Sequence, residues 1–139
     1  MSKINSSLGH LVFLIHEFDK NIGIYRKLFE YLEYPFIVDE NYGIGVNTPQ
    51  NASIWIMRTS KENLNNRDAN GLNHIAFNVT SKEDVDIFTK EFLVPNNIEL
   101  LFDTPKARPD FTGDTGIYYQ VMFELPGSLL IEVVYNKFD

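Results

Sequence analysis

The chain has 139 residues, of which 44% are hydrophobic and none is cysteine, and it carries a formal net charge of −7 at pH 7. This length fits one domain or two intimately packed halves. The acidic balance argues against nucleic acid and anionic membrane surfaces as partners, because both attract basic patches. The lack of cysteine excludes disulfides, thiolate catalysis and cysteine-ligated zinc.

The amino-terminal segment predicts a cytoplasmic protein. Residues 1–10 lack the apolar stretch of a signal peptide. The longest early apolar run, Leu11–Ile15, is far shorter than the ~20 residues that cross a bilayer. We therefore expect neither a signal peptide nor a membrane span here.

The first half of the chain predicts one strand, one helix and three further strands. The first strand is His10–Ile15, and apolar residues then recur at helical spacing from Ile22 to Leu32. Asp19 is the residue expected to cap this helix. The strands that follow are Pro35–Asp39, Tyr42–Val46 and Ala52–Met57.

The second half repeats this order of elements. A strand at Leu72–Val79 is followed by Ser81 and Asp84, which form the capping signal of a second helix. Three more strands are expected at Ile98–Phe102, Gly116–Phe123 and Leu129–Tyr135. The proline- and glycine-containing stretch Thr104–Gly116 predicts an irregular, mobile loop at the rim of a site.

The repeat predicts an α+β fold of two β-α-β-β-β modules within a single domain of residues 1–139. Module one covers about residues 8–58 and module two about 71–135, with a polar linker at 58–70.

Three residues of the metal-ligating type stand inside apolar strands. They are His10, His74 and Glu132. A polar side chain in such a run is costly unless something pairs with it, and two imidazoles with one carboxylate form a plausible ligand set for a metal. The alternatives are strand histidines bonded to the backbone and a salt-bridged core carboxylate. His16 is expected at the surface or the rim.

These strands resemble those of the vicinal oxygen chelate superfamily, which includes glyoxalase I, fosfomycin- and bleomycin-resistance proteins and extradiol dioxygenases. The resemblance rests on Gly9-His10 and on the runs GLNHIAFNV at 71–79 and LPGSLLIEVV at 125–134. It implies that the mixed sheets of two modules curl around a cup for metal and substrate. It also implies a homodimer in which modules from different chains complete each cup.

The same resemblance implies a divalent metal, namely Zn, Ni, Mn, Co or Fe, held by His10, His74 and Glu132. Four-ligand members have a further Glu near the end of the first module, where this sequence has Trp55. Trp cannot ligate a metal, so the three-ligand pattern is expected, with Glu132 as the catalytic base. Five residues are expected to contact substrate: Trp55, Met57, Tyr118, Gln120 and Arg108.

Two classes of function follow from these residues. The first is a metal-dependent, glyoxalase-like lyase, isomerase or group-transfer enzyme that chelates a small oxygenated substrate to the metal. The second is a metal-free protein that sequesters a ligand in the bleomycin-resistance manner. A ring-cleaving Fe(II) dioxygenase is a further alternative, because the same three ligands suit oxygen activation.

Overall fold

The computed structural model describes residues 4–62 and 65–138. The chain divides into two compact units, Met1–Asn63 and Leu64–Asp139. Each unit contains one four-stranded sheet with one main helix, and the two sheets have the same strand order. The predicted α+β class with two β-α-β-β-β modules is therefore confirmed.

The first unit contains one helix between the first and second strands. Its strands are β1 (His10–Ile15), β2 (Phe36–Glu40), β3 (Gly43–Asn47) and β4 (Ser53–Arg58), and its helix is α1 (Phe18–Tyr31). The sheet order is β1-β4-β3-β2, in which β1 runs parallel to β4 and the other pairs are antiparallel. The first and last strands of the module are therefore neighbours.

Helix α1 begins in a way that the sequence did not predict. The residue before it, Glu17, has a left-handed backbone with φ of 49°, and its side chain makes no capping hydrogen bond. Asp19 lies inside the helix and binds Arg58, with Oδ1 2.7 Å from a guanidinium nitrogen. The predicted capping role of Asp19 was therefore wrong, because Arg58 at the end of β4 is the stronger partner for its carboxylate. The predicted apolar stripe is buried, with Ile22, Tyr25, Leu28 and Phe29 facing inward.

The second unit repeats this topology with additions. Its strands are β5 (His74–Asn78), β6 (Leu101–Ala107), β7 (Ile117–Leu125) and β8 (Leu129–Lys137), in the order β5-β8-β7-β6. Helix α2 (Lys82–Phe88) continues as a π-helical segment, Thr89–Leu93, and a single helical turn, α3 (Pro109–Thr112), follows β6. Strands β5 and β8 are parallel neighbours.

The start of α2 confirms the predicted cap. The Ser81 hydroxyl accepts a hydrogen bond from the backbone N–H of Asp84 at 3.1 Å. In return, the carboxylate of Asp84 accepts hydrogen bonds from the backbone N–H and the hydroxyl of Thr80. The hydroxyl of Thr80, followed by that of Ser81, lowers the pKa of Asp84. These reciprocal bonds satisfy N–H groups that would otherwise lack partners at a helix start.

The stretch Thr104–Gly116 is more regular than predicted. Strand β6 continues through Ala107, and α3 follows it directly. The pairing of β6 with β7 breaks between Leu101 and Lys106. At this break the buried Thr104 hydroxyl donates to the carbonyl of Leu101 at 2.6 Å and accepts from the backbone N–H of Met122 at 2.9 Å. This side chain replaces missing ladder hydrogen bonds, so the strand persists past a bulge that the sequence pattern does not reveal.

The helices of the described ranges are short. The longest, α1, has 14 residues, and none has both the length and the hydropathy that a membrane span requires.

Candidate active site of the second unit

Strand register brings His74 and Glu132 together. In the parallel pair of β5 and β8, His74 lies opposite Leu130, and Ala76 lies opposite Glu132. Because side chains alternate between the faces of a strand, His74 and Glu132 project from the same face, one diagonal step apart. The imidazole Nε2 lies 3.0 Å from the carboxylate Oε2 of Glu132.

Glu132 is a buried carboxylate with two protein partners. Its residue is 1% exposed. One carboxylate oxygen faces His74, and the other accepts a hydrogen bond of 2.5 Å from the Tyr118 hydroxyl. Burial, together with this hydrogen bond, raises the pKa of Tyr118 well above its ordinary value, so the phenol remains a proton donor. A carboxylate in an apolar strand is tolerable only with such partners.

The second nitrogen of His74 is also engaged. Its Nδ1 lies 2.7 Å from the side-chain oxygen of Asn73. The amide nitrogen of Asn73 donates to the backbone carbonyl of Arg67 at 2.8 Å, which turns the amide oxygen toward the imidazole. Both ring nitrogens of His74 therefore face oxygen atoms. A neutral imidazole has one N–H and satisfies only one of these contacts as a hydrogen-bond donor.

These groups line a cavity of about 740 Å³ within the second unit. That volume lies in the range of small-molecule sites. Three of the predicted substrate contacts line this cavity beside His74 and Glu132, namely Tyr118, Gln120 and Arg108. Their proximity to the two candidate ligands agrees with the prediction, whereas their binding of a substrate stays a prediction.

The short helix α3 adds an aromatic contact to the cavity wall. The Phe111 ring packs edge-on against Tyr118, with centroids 5.0 Å apart. The Arg108 guanidinium lies 4.1 Å above the Phe111 ring and binds the carboxylate of Asp110 through two nitrogens. Phe111 and Asn73 were both missed by sequence reasoning. Asn73 directly precedes His74, and this adjacency was the available signal.

The equivalent face of the first unit carries different chemistry. His10 lies opposite Ser53, and Val12 lies opposite Trp55, so Trp55 occupies the position that Glu132 has in the second unit. This confirms the equivalence that the sequence predicted. The Trp55 indole N–H donates to the Ser53 hydroxyl at 2.9 Å. A hollow of about 360 Å³ in this unit is lined by His10, Val12, Ser53, Trp55 and Met57.

The predicted three-ligand set is divided between the units. His74 and Glu132 lie in the second unit, and His10 lies exposed on β1 of the first. Across residues 4–62 and 65–138, no three His, Asp or Glu side chains gather as a metal-binding group. Trp55 and Met57 likewise line the hollow of the first unit and not the cavity that holds Tyr118. The metal set therefore stays a prediction.

The positions of two predicted ligands are compatible with a metal. The 3.0 Å separation of His74 Nε2 and Glu132 Oε2 is short enough for both atoms to reach one ion, and it is also the length of a direct hydrogen bond. The contact of His74 Nδ1 with the side-chain oxygen of Asn73 is of the kind that orients a ligating imidazole in metal proteins.

The fold is shared with solved structures of the glyoxalase type. A candidate glyoxalase from Bacillus halodurans is 22% identical, with a TM-score of 0.76 over 92% of this chain and 94% of that one. A glyoxalase/bleomycin resistance protein from Albidiferax ferrireducens T118 is 16% identical, with a TM-score of 0.70 over 94% and 99%. A glyoxylase/bleomycin resistance protein/dioxygenase domain from Frankia sp. EAN1pec is 18% identical, with a TM-score of 0.68 over 96% and 94%.

These likenesses show that the chain has the vicinal oxygen chelate fold. No protein-family model matches the sequence, and no curated protein sequence matches it. The fold expectation drawn from the sequence is thus confirmed. Because one fold hosts many activities, the activity has to be argued from the residues of the site.

Proposed function

We propose that this protein is a metal-dependent, glyoxalase-like enzyme that acts on a small oxygenated substrate. In this proposal His74 and Glu132 hold a divalent cation together with His10 from a second copy of the chain. The observation that carries the proposal is the position of His74, whose two ring nitrogens both face oxygen atoms. If His74 and Glu132 held a cation, a neutral imidazole would satisfy both contacts, because its single N–H would be donated to Asn73.

The metal, when bound, acts as a Lewis acid that stabilises negative charge developing on a substrate oxygen. Nitrogen and oxygen ligands suit Zn, Ni, Co, Mn or Fe. With Fe(II), the same ligands suit the ring-cleaving alternative.

The other residues of the cavity bind and orient the substrate. The Tyr118 hydroxyl donates a hydrogen bond to Glu132 and is therefore a proton donor in contact with this carboxylate. Its raised pKa keeps that proton in place at neutral pH. Glu132 is the base in this proposal, since it is the carboxylate buried beside the imidazole. Asn73 holds the imidazole in one orientation through its fixed amide.

A homodimer is part of the proposal, because His10 lies in a different unit from His74 and Glu132. Two apolar side chains on the same face of β1 support a covering partner: Val12 is 53% exposed and Leu14 is 61% exposed. Exposed apolar side chains grouped on one sheet face are typical of interaction surfaces. The small-molecule substrate is the only other partner that the proposal requires.

A metal-free ligand-sequestering protein is the second candidate. Both Glu132 oxygens already have protein partners, Tyr118 and His74, so this carboxylate is satisfied without a cation if the imidazole carries two protons. In that case the cavity binds its ligand as a preformed pocket.

Metal content separates the two candidates. Protein purified without a histidine tag, stripped with a chelator and then incubated with each divalent ion in turn should retain about one ion per chain. His74→Ala should lose it in elemental analysis, and His16→Ala, which lies at the surface near Glu62, should keep it. Unchanged metal in His74→Ala contradicts the ligand assignment. Wild-type protein that retains none of the ions supports the sequestering protein instead.

A further inference from the structure

We propose that the cavity of the second unit binds a small organic monoanion, a carboxylate with an apolar body, through Arg108, Lys106 and the side-chain amide of Gln120. The inference rests on the proposed function in that it names the ligand class of the same cavity. Its supporting observations are a buried donor without a partner, two cationic side chains and an apolar lining.

The buried donor is the amide nitrogen of Gln120. Gln120 lines the cavity and is 2% exposed, and its Nε2 finds no hydrogen-bond partner among the described residues. Leaving a buried N–H without a partner is unfavourable, and such groups in native proteins call for an explanation. An oxygen atom of a bound ligand supplies the missing acceptor.

The cationic side chains lie at the same cavity. Arg108 and Lys106 both line it together with Gln120. Lys106 makes no hydrogen bond or ion pair within residues 4–62 and 65–138. A carboxylate is a natural partner for such a guanidinium and ammonium.

The charges of the lining favour a single negative charge on the ligand. Among the cationic side chains of the lining, Arg67 binds Glu124 and Arg108 binds Asp110, whereas Lys106 has no ion pair within residues 4–62 and 65–138. In a protein that carries −7 overall, Lys106 is therefore an ammonium at this cavity without a paired carboxylate. One ligand carboxylate supplies that partner, whereas the second charge of a dianion meets guanidinium groups that are already paired.

Repulsion between Glu132 and a bound anion is reduced by the partners of the Glu132 carboxylate. One of its oxygens is bonded to the Tyr118 hydroxyl and the other lies against His74, so its charge is partly compensated where it is buried. The anion contacts lie instead with Arg108 and Lys106, on β6 and at its end.

The apolar part of the lining predicts the body of the ligand. Phe102, Phe111, Met122 and Leu130 line the cavity, and the first two are about half exposed. Large aromatic side chains that face a cavity while half exposed gain from covering by an apolar ligand. A carboxylate carried by a phenyl-sized group matches both parts of the lining.

The inference is tested by calorimetric titration of chelator-treated protein with phenylacetate and with its uncharged analogue phenylacetamide. We expect phenylacetate to bind at least about ten-fold more tightly, as charge-assisted hydrogen bonds do. Arg108→Ala and Lys106→Ala should each reduce this preference, and Gln120→Leu should weaken both compounds. Equal affinity for the two compounds in wild-type protein overturns the inference, as does tighter binding of phenyl phosphate.

Asp110→Ala should change the affinity for phenylacetate in the opposite direction. Asp110 holds the Arg108 guanidinium through two nitrogens, so its removal frees Arg108 and should tighten phenylacetate binding by about two- to ten-fold. Arg26→Ala is the matched control, since Arg26 binds Asp39 in the first unit and should leave binding unchanged. Weaker phenylacetate binding in Asp110→Ala contradicts the inference.

This test and that of the proposed function can fail independently, because phenylacetate binding is measured on metal-stripped protein. Phenylacetate binding to stripped protein together with failure to retain any divalent ion supports the anion site and contradicts the metal centre. Metal retention without any preference for phenylacetate over phenylacetamide gives the reverse result.

Discussion

In the first unit the strand position opposite Val12 carries Trp55, whereas in the second unit the equivalent position, opposite Ala76, carries Glu132. Both positions lie on the last strand of a β-α-β-β-β module, beside the first strand and its histidine. Trp55 packs over a glycine on the neighbouring strand, and Glu132 binds a histidine and a tyrosine. One backbone register therefore supports an apolar wall around Trp55 in one module and a polar centre around Glu132 in the other.

Removing the hydrogen bond from Tyr118 to Glu132 should give the largest loss of stability at the polar centre. Tyr118→Phe leaves one oxygen of the buried Glu132 carboxylate without its donor. We expect a loss of about 1.5–3 kcal/mol in the free energy of unfolding of stripped protein, the range for hydrogen bonds to charged groups. Urea denaturation measures it. Tyr42→Phe, at an exposed tyrosine of the first unit, is the control and should change stability by less than about 0.5 kcal/mol. Equal stability of wild type and Tyr118→Phe would contradict the role given to this bond.

Adding one methyl group at Gly45 should disrupt the packing of the apolar wall. A Cβ at Gly45 would lie 2.6 Å from carbons of the Trp55 ring, so Gly45→Ala forces the indole to shift. We expect a loss of about 1–3 kcal/mol, as for overpacked sites. The double variant Gly45→Ala with Trp55→Leu should be less destabilised than the sum of the two single variants, as measured by the same denaturation. Strict additivity would show that the indole does not limit the space at Gly45.

The starts of the two helices extend the comparison. Helix α2 has the Ser81 cap, whereas the residue before α1, Glu17, makes no side-chain capping bond. Ser81→Ala should therefore cost about 1 kcal/mol, and Glu17→Ala should cost less than about 0.5 kcal/mol. Thermal unfolding of both variants checks the difference. A larger loss in Glu17→Ala than in Ser81→Ala would reverse this part of the comparison.

The smallest expected effect concerns the two faces of β7. Tyr119 points away from Tyr118, and its hydroxyl donates to Asp86 at 2.7 Å. That hydrogen bond, with a smaller contribution from burial, raises the pKa of Tyr119 to about 12. Because the folded pKa lies above the ordinary value of 10.0, the stabilisation is fully present below pH 10 and is lost as the pH rises through about 12.

Tyrosinate absorbance checks this titration. Tyr119→Phe should remove one transition near pH 12, and Asp86→Ala should move that transition toward pH 10. A high-pH titration curve that is the same in wild type and Asp86→Ala would show that the hydrogen bond does not hold the proton.

The sequence predicted the elements that depend on local periodicity. The bounds of β1 and the Ser81 cap agree with the structure, and matching the last strands of the two modules placed Trp55 opposite its equivalent. The continuation of β6 was not predicted, because it depends on hydrogen bonds of Thr104 to residues on two strands. Such a long-range replacement for ladder bonds leaves no periodic signal.

The sequence likewise predicted some residues of the candidate site and missed others. His74, Glu132, Tyr118 and Gln120 meet at one cavity, as ligand-type residues and strand alternation indicated, and Arg108 joins them from the stretch predicted to lie at the rim. Phe111 was treated as part of a loop, and its place against Tyr118 depends on helix α3, which is a single turn. The role of His10 stays a prediction, because in the proposal it would depend on assembly between chains, which residue spacing within one chain does not determine.

Metal recovery in mixed dimers is the most direct test of the proposed metal centre shared between two chains. His10→Ala and His74→Ala protein, each stripped and each expected to retain no ion, are unfolded, mixed in equal amounts, refolded and exposed to the metal that wild-type protein retains. In a mixed dimer one site lacks both histidines and the other is intact, so random pairing should restore metal to about one site in four. No recovery of metal in the mixture, with wild-type protein refolded in parallel regaining its full content, would contradict the shared centre.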